Sequence, residues 1–266
     1  LRPWLSKKSL RRMLERGLLL RPRRGIYLVP RVPDHVEAAV AEGARVCCVT
    51  VLKERDVFVR RNHAAHWHFE RTMTRYAPST RVTTWHWRPL IRVPHPAATH
   101  VDIVDALAQA TRCQEPRDAV ASLDSALHLG LIDLDDLDEI FAHLPARYQV
   151  LKGLVDGRAE SGTETIVRLI ARLLGFRIEV QVRLSGVGRV DLVLDGWLIV
   201  ECDSEQFHSD WKDQKRDRRR DLAAAAKGMV TFRPIAEDIM YRPETVVAAL
   251  RGLKVAHRRG FPSVVG

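Results

Sequence analysis

The sequence predicts a mixed α+β chain (α/β in its C-terminal part), and three observations carry that prediction. Residues 161–266 alternate apolar helical stripes with short strand-like runs in the order α-β-β-β-α-β-α. Residues 1–30 read as a basic helix followed by a basic hairpin. Between them, two strand-like stretches rich in His and Trp give way to three helical segments led by acids, as the helix dipole favours. Three parts are expected: a DNA-binding segment over 1–32, a mixed middle region over 33–156, and a C-terminal domain over 157–266.

In "LSKKSLRRMLERGLLLRPRRGIYLVP" Ser6 is placed to cap a helix. Leu10, Met13 and Leu14 fall at helical spacing, with Lys7, Lys8, Arg11, Arg12 and Arg16 around them, and Gly17 ends the run. Strand, turn and strand follow, with Arg21, Arg23 and Arg24 at the turn. A helix and a basic hairpin make the second half of a winged helix-turn-helix, in which the helix enters the major groove and the wing touches phosphates. The alternative is a basic surface helix and hairpin with no nucleic-acid role.

The net charge of +10 is uneven: +8 over residues 1–30, +5 over 31–100, −7 over 101–160 and +4 over 161–266. A basic end suits a phosphate backbone, so Lys7, Lys8, Arg11, Arg12, Arg21, Arg23 and Arg24 are candidate DNA contacts. The acidic middle reads as a spacer or as a docking layer for a protein partner. Nothing resembles a signal peptide, and no apolar run approaches the ~18 residues of a membrane span, so a cytoplasmic protein is expected. The chain begins at Leu1, which implies an unusual start codon or an upstream piece. Cys47, Cys48, Cys113 and Cys202 have neither zinc-site nor disulfide-scaffold spacing and are expected as reduced thiols.

In the middle region, "DVFVRRNHAAHWHFERT" and "RVTTWHWRPLI" look like strands. They gather His63, His66, His68 and His86 beside Trp67, Trp85 and Trp87. Histidine is a common zinc ligand, but no cysteine or acid completes a set in the sequence. Stacking on bases is a second reading, and packing is the one expected. "HVDIVDALAQATR", "EPRDAVASLDSALHLG" and "DLDDLDEIFAHLP" are the three helices.

In the C-terminal domain, "ESGTETIVRLIARLLGF" is a helix. Ser161 and Glu164 form a capping-box pattern, and Ile166, Leu169, Ile170 and Leu173 form an apolar stripe. "RIEVQVRL" is a strand, and "RVDLVLDGWLIVECD" is two strands about Asp195-Gly196. "DWKDQKRDRRRDLAAAAKG" is a charged helix, "MVTFRPI" a strand and "PETVVAALRGL" a last helix. The register of the central hairpin decides the chemistry. A two-residue turn would set Asp191 opposite Val200; a three-residue loop, Asp195 to Trp197, sets Asp191 opposite Glu201. The three-residue loop is expected.

Two resemblances follow from these residues. The N-terminal stretch, with Arg24, Gly25 and Tyr27 as an R-G-x-Y wing, resembles the winged-helix domain of type IV toxin–antitoxin antitoxins. That domain usually has another helix upstream, which is absent from this sequence; the module is incomplete if that helix is truly missing. From Ser161 onward, Asp191, the Glu201-x-Asp203 strand end, His208 and the D-R-x-R-D helix (Asp217 to Asp221) resemble the DUF559 family. That family is related to the very short patch repair endonucleases, within the restriction-endonuclease-like superfamily whose motif is PD-(D/E)-x-K. The resemblance implies an αβββαβ core and a Mg²⁺- or Mn²⁺-dependent endonuclease or nickase. Asp191, Glu201 and Asp203 would be the metal ligands, with Asp217 and Arg220 bracing the site.

Phosphodiester hydrolysis needs a divalent ion to generate hydroxide and to steady the leaving oxygen. Mg²⁺ prefers carboxylate oxygens and keeps several waters, so two or three acids suffice. The motif lysine is replaced by Asp203, and His208 is the candidate to assist water; its other reading is a helix cap. Glu164 has two readings, a capping residue and a further acid at the metal. On the charged helix, Lys212, Lys215, Arg216 and Arg219 are candidate phosphate contacts, against a reading as a solvated face. The runner-up function is a DNA-binding regulator or antitoxin-like protein whose nuclease fold is inactive. An RNA-cleaving toxin shares the chemistry but has no specific residues in its favour.

Overall fold

The computed structural model describes residues 6–61, 64–70, 83–202 and 211–260, the side chains of 211–213 excepted. The described residues are mixed α and β with small mixed sheets, an α+β arrangement. The chain separates into two compact units. One comprises Leu1–Val57, Arg61–Cys113 and Ile132–Ala146; the other comprises Phe58–Arg60, Gln114–Leu131 and Arg147–Gly266. That division does not follow the three parts 1–32, 33–156 and 157–266. The basic N-terminus shares a unit with the His- and Trp-rich stretches, and the acidic helices are divided between the two units.

The first unit opens with α1 (Lys7–Glu15), where Ser6 Oγ accepts from the Ser9 amide at 3.1 Å. No residue of α1 is buried. Strands β1 (Leu20–Arg23) and β2 (Ile26–Leu28) pair antiparallel. Gly25 takes φ +82° at their turn, a conformation open to glycine. The Arg21 guanidinium stands 5.9 Å from the Tyr27 ring centroid. Helix α2 (Asp34–Glu42), strand β3 (Arg45–Val46) and helix α3 (Cys48–Glu54) follow, then β4 (Ala65–His68) and β5 (Thr83–His86). The sheet runs β3-β4-β5, with β3/β4 antiparallel and β4/β5 parallel.

Helix α4 (Ile103–Cys113) packs on α3, and α6 (Leu134–Ala142) packs on α4. The aromatic residues pack, as expected. Trp67 is 1% exposed, Trp87 stacks on Phe69 at 4.8 Å, and Trp85 meets Phe69 edge-on at 5.5 Å. Part of the negative charge of the middle region is consumed internally. Arg92 pairs with Asp102 at 3.3 Å, with Glu139 at 2.6 Å and with Asp136.

The second unit contains α5 (Pro116–His128), α7 (Gln149–Lys152), α8 (Gly162–Leu173), β6 (Ile178–Leu184), β7 (Gly188–Leu194) and β8 (Leu198–Val200). It continues with α9 (Trp211–Ala225), β9 (Val230–Phe232), α10 (Ala236–Tyr241) and α11 (Pro243–Arg259). The expected order is present, with α10 added before the last helix. The sheet runs β6-β7-β8-β9; β6/β7 and β7/β8 are antiparallel and β8/β9 is parallel.

One cluster of apolar side chains joins Ile166 and Ile170 of α8 to Leu192, Leu198, Val200, Ile239 and Leu250. Another joins Val190, Val193 and Ile199 to Ala224 of α9. Each fully buried Leu or Ile contributes about 1.5–3 kcal/mol. Of the expected α8 stripe, Ile166, Leu169 and Ile170 are buried, whereas Leu173 is 73% exposed at the helix end. Helices α5 and α8 are also joined by a buried ion pair, Arg168 Nη2 to Asp124 Oδ2 at 2.7 Å.

Candidate active site

Strands β7 and β8 set the central relationship. Leu192 pairs with Val200 and Leu194 with Leu198, so the loop holds three residues, Asp195, Gly196 and Trp197. Carried one residue beyond Leu192 and Val200, that register sets Asp191 opposite Glu201, as the three-residue loop requires. Asp195 (φ +50°) and Gly196 (φ +77°) are both left-handed. Asp195 is held there because its carboxylate accepts from the Arg177 amide at 2.8 Å while its own amide donates to the Arg177 carbonyl at 2.8 Å.

Asp191 Oδ2 accepts from the Cys202 amide at 2.9 Å and so fastens the end of β8. Cys202 packs against the apolar cluster that α8 shares, in keeping with its reading as a small hydrophobe. Glu201, one residue earlier, turns instead to α9. It is 8% exposed. Its Oε1 accepts from Arg220 Nη2 at 2.5 Å, and its Oε2 is met by Arg233.

Arg220 also donates to the carbonyls of Val187 at 2.9 Å and Arg189 at 2.6 Å. Asp217 stands 3.7 Å from Arg220, and Asp221 holds Arg233 at 2.9 Å. Asp217 is thus linked to Glu201 through Arg220. Arg233 was not singled out in the sequence. It follows Phe232, which pairs with Val200, so only the parallel β8/β9 pairing brings it level with Glu201.

Glu164 is 5% exposed. Its Oε2 accepts from the Glu160 amide at 3.0 Å and from Gln181 Nε2 at 2.9 Å, and its Oε1 from Ser161 Oγ at 2.8 Å. Ser161 Oγ in turn accepts from the Glu164 amide at 3.2 Å. Ser161 therefore caps α8, and the Glu164 carboxylate holds the Ser161 hydroxyl and the Glu160 amide just before the helix. Glu164 also lies close enough to Asp191 to feel its charge: burial, and then Asp191, hold the Glu164 carboxyl above its ordinary range. Gln181 is a further residue that sequence reasoning missed. Its positive φ of +54° in mid-strand is a tertiary feature with no sequence signal.

Asp203 and His208 lie outside the described residues, as does the side chain of Lys212. On α9, Lys215, Arg216 and Arg219 are exposed, with Arg216 3.8 Å from Asp217. In the first unit, Lys7, Lys8, Arg11, Arg12, Arg21, Arg23 and Arg24 are all exposed, with Arg11 3.8 Å from Glu15.

One expectation is overturned. The histidines do find cysteine partners, because the fold brings Cys48 and Cys113 to His66 and His86. His68 stays apart, 3% exposed and 3.4 Å from Gln109 Nε2, and His63 lies outside the described residues. No model of a known protein family matches the chain, and no curated protein matches it. Among the described residues, no helix is long and apolar enough to cross a membrane.

Proposed function

We propose that the second unit is a divalent-metal-dependent endonuclease or nickase of the kind its resemblance to DUF559 and to restriction-endonuclease-like cores implies. The exposed basic helix and hairpin at the N-terminus supply affinity for DNA. The observation that carries this reading is the β7/β8 register, which sets Asp191 opposite Glu201 while Glu164 is buried within reach of Asp191's charge.

The donor chemistry fits Mg²⁺ or Mn²⁺. The acids are hard oxygen donors; burial first, and then the charge of Asp191, hold the Glu164 carboxyl above its ordinary range, and a cation would relieve the second of these. Asp191, Glu201 and Asp203 would hold the ion, with Glu164 contributing from α8. The ion's chemistry is to lower the pKa of a bound water and to neutralise charge on the leaving oxygen. The chain's own residues position that chemistry. Arg220 and Arg233 fix the Glu201 carboxylate, Asp217 and Asp221 orient those arginines, and His208 takes the water-assisting role that the missing motif lysine leaves open. Lys215, Arg216 and Arg219, exposed on α9, would contact the phosphate backbone.

A second reading is favoured by one observation. Both oxygens of Glu201 are met by arginines, so this carboxylate is neutralised without an ion. Under that reading the chain is an antitoxin-like DNA-binding regulator. The experiment is a nicking assay on supercoiled plasmid with Mg²⁺ or Mn²⁺, comparing the unchanged protein with Glu201→Ala. Metal-dependent open circle that disappears in the variant supports the nuclease. DNA binding with no cleavage of plasmid, mismatched or branched substrates supports the regulator.

A further inference from the structure

We infer that the first unit holds a four-coordinate site for a borderline-soft transition-metal ion, zinc foremost, formed by Cys48, His66, His86 and Cys113. One ligand atom from each of these residues lies within 4.8 Å of all the others. Two of the spacings are specific: His66 Nδ1 to His86 Nε2 is 3.1 Å, and Cys113 Sγ to His86 Nε2 is 3.8 Å. Zn–S bonds of about 2.3 Å and Zn–N bonds of about 2.0–2.1 Å at tetrahedral angles require about 3.3 Å between nitrogens and about 3.6 Å between sulfur and nitrogen. Two of the six separations are thus close to those of a tetrahedral site, and the remaining four lie within 4.8 Å.

The four residues come from four separate elements. Cys48 opens α3, His66 lies on β4, His86 ends β5 and Cys113 ends α4. The backbone carries each one to the point. The Cys47 amide donates to the His66 carbonyl at 3.0 Å, and the His66 amide donates to Thr50 Oγ1 at 2.9 Å, which locks the start of α3 to β4. The Phe69 amide donates to the His86 carbonyl at 2.9 Å and fixes the end of β5. Cys48 has φ +53°. A non-glycine residue held in that region costs about 1–3 kcal/mol and persists where the surroundings over-determine it.

Two thiols and two imidazoles suit zinc and exclude Mg²⁺, which takes oxygen ligands. This ion is therefore distinct in chemistry from the one proposed for the acids of the second unit. Four protein ligands leave no open position, so the site is structural. It would join two helix ends and two strands that are far apart in sequence, which is where closing a long loop stabilises most. Cys48 is fully buried while Cys113 is exposed, which gives the ion a path in. The rival arrangement is a metal-free hydrogen-bonded cluster in which one imidazole N–H donates to the other ring.

The test uses the full chain, purified without added metal, stripped with a chelator and titrated with Zn²⁺ and with Co²⁺. The expected result is about one zinc per chain as isolated. With Co²⁺, thiolate-to-cobalt charge transfer and the intense visible bands of a tetrahedral site are expected. Cys113→Ser and His86→Gln, checked for fold by circular dichroism, should weaken binding by roughly a hundredfold, while Cys202→Ser should leave it unchanged. Cys113→His, which keeps a ligand, should retain binding with a cobalt spectrum shifted to one sulfur and three nitrogens. A folded wild-type chain with no charge-transfer band overturns the proposal. So does an unaltered spectrum in folded Cys113→Ser or Cys113→His.

Discussion

Arg220 Nη2 donates to Glu201 Oε1 at 2.5 Å, and the same guanidinium holds the carbonyls of Val187 and Arg189. One side chain of α9 thus ties a buried carboxylate just past the end of β8 to the turn before β7 and to β7 itself. Removing it leaves Glu201 with Arg233 and takes a donor from each of two carbonyls. Arg220→Ala is expected to cost about 2–3 kcal/mol, read as a fall in the urea midpoint. Arg220→Lys should recover little, because a point charge cannot span three acceptors. A change under about 0.5 kcal/mol would show that the contact contributes nothing net.

Glu164 makes stability depend on pH with a definite sign. Burial, then the charge of Asp191, raise its pKa above the reference 4.5. A raised carboxyl contributes its full stability below the unfolded-state value and loses it as pH climbs through the folded-state value. Glu164→Gln should therefore gain on the wild type as pH rises from about 4 to 7. Paired thermal melts across that range check it, and a flat or opposite trend refutes the assignment.

The pair Arg168–Asp124 is buried, with side chains 6% and 1% exposed. Asp124 also accepts from Thr165 Oγ1 and from the Asp156 amide, both at 2.7 Å. Arg168→Met should destabilise by about 3–5 kcal/mol, because it strands a buried carboxylate. Adding Asp124→Leu should return part of that loss. Denaturant titrations of the two variants measure the recovery, and none at all would locate the cost in lost packing by Arg168 instead.

For the exposed N-terminal cations, the expectation concerns salt. Each phosphate contact contributes about 0.9 to the slope of log affinity against log salt on duplex DNA. Arg12→Ala and Arg24→Ala together should lower the slope by about 2 if both touch the backbone. Fluorescence anisotropy across a salt series decides it, and an unchanged slope would return helix and hairpin to plain surface.

Several of these elements are legible in the sequence. Ser6 and Gly17 bracket α1, the Arg24-Gly25 turn joins β1 and β2, and the α8 stripe is buried at Ile166, Leu169 and Ile170. At Asp195-Gly196 the sequence marks the hairpin and leaves two registers, which differ by a slip that turns every side chain to the other face; the pairing of Leu194 with Leu198 selects the three-residue loop. Helices α2 and α3 left weaker traces, because much of α3 is buried and lacks the amphipathic contrast on which a helical pattern depends.

The sequence by itself determined what neighbours along the chain decide: caps, turns, strand alternation, and a hairpin about Asp195-Gly196 with two registers open to it. Tertiary structure alone decided which distant residues meet. Arg233 reaches Glu201 only because β9 lies parallel to β8 after the chain has passed through α9. Cys48, His66, His86 and Cys113 converge only because α3 and α4 pack together beside a sheet that carries the two histidines. Periodicity records the environment of one element at a time, whereas a ligand set is a property of the packing between elements.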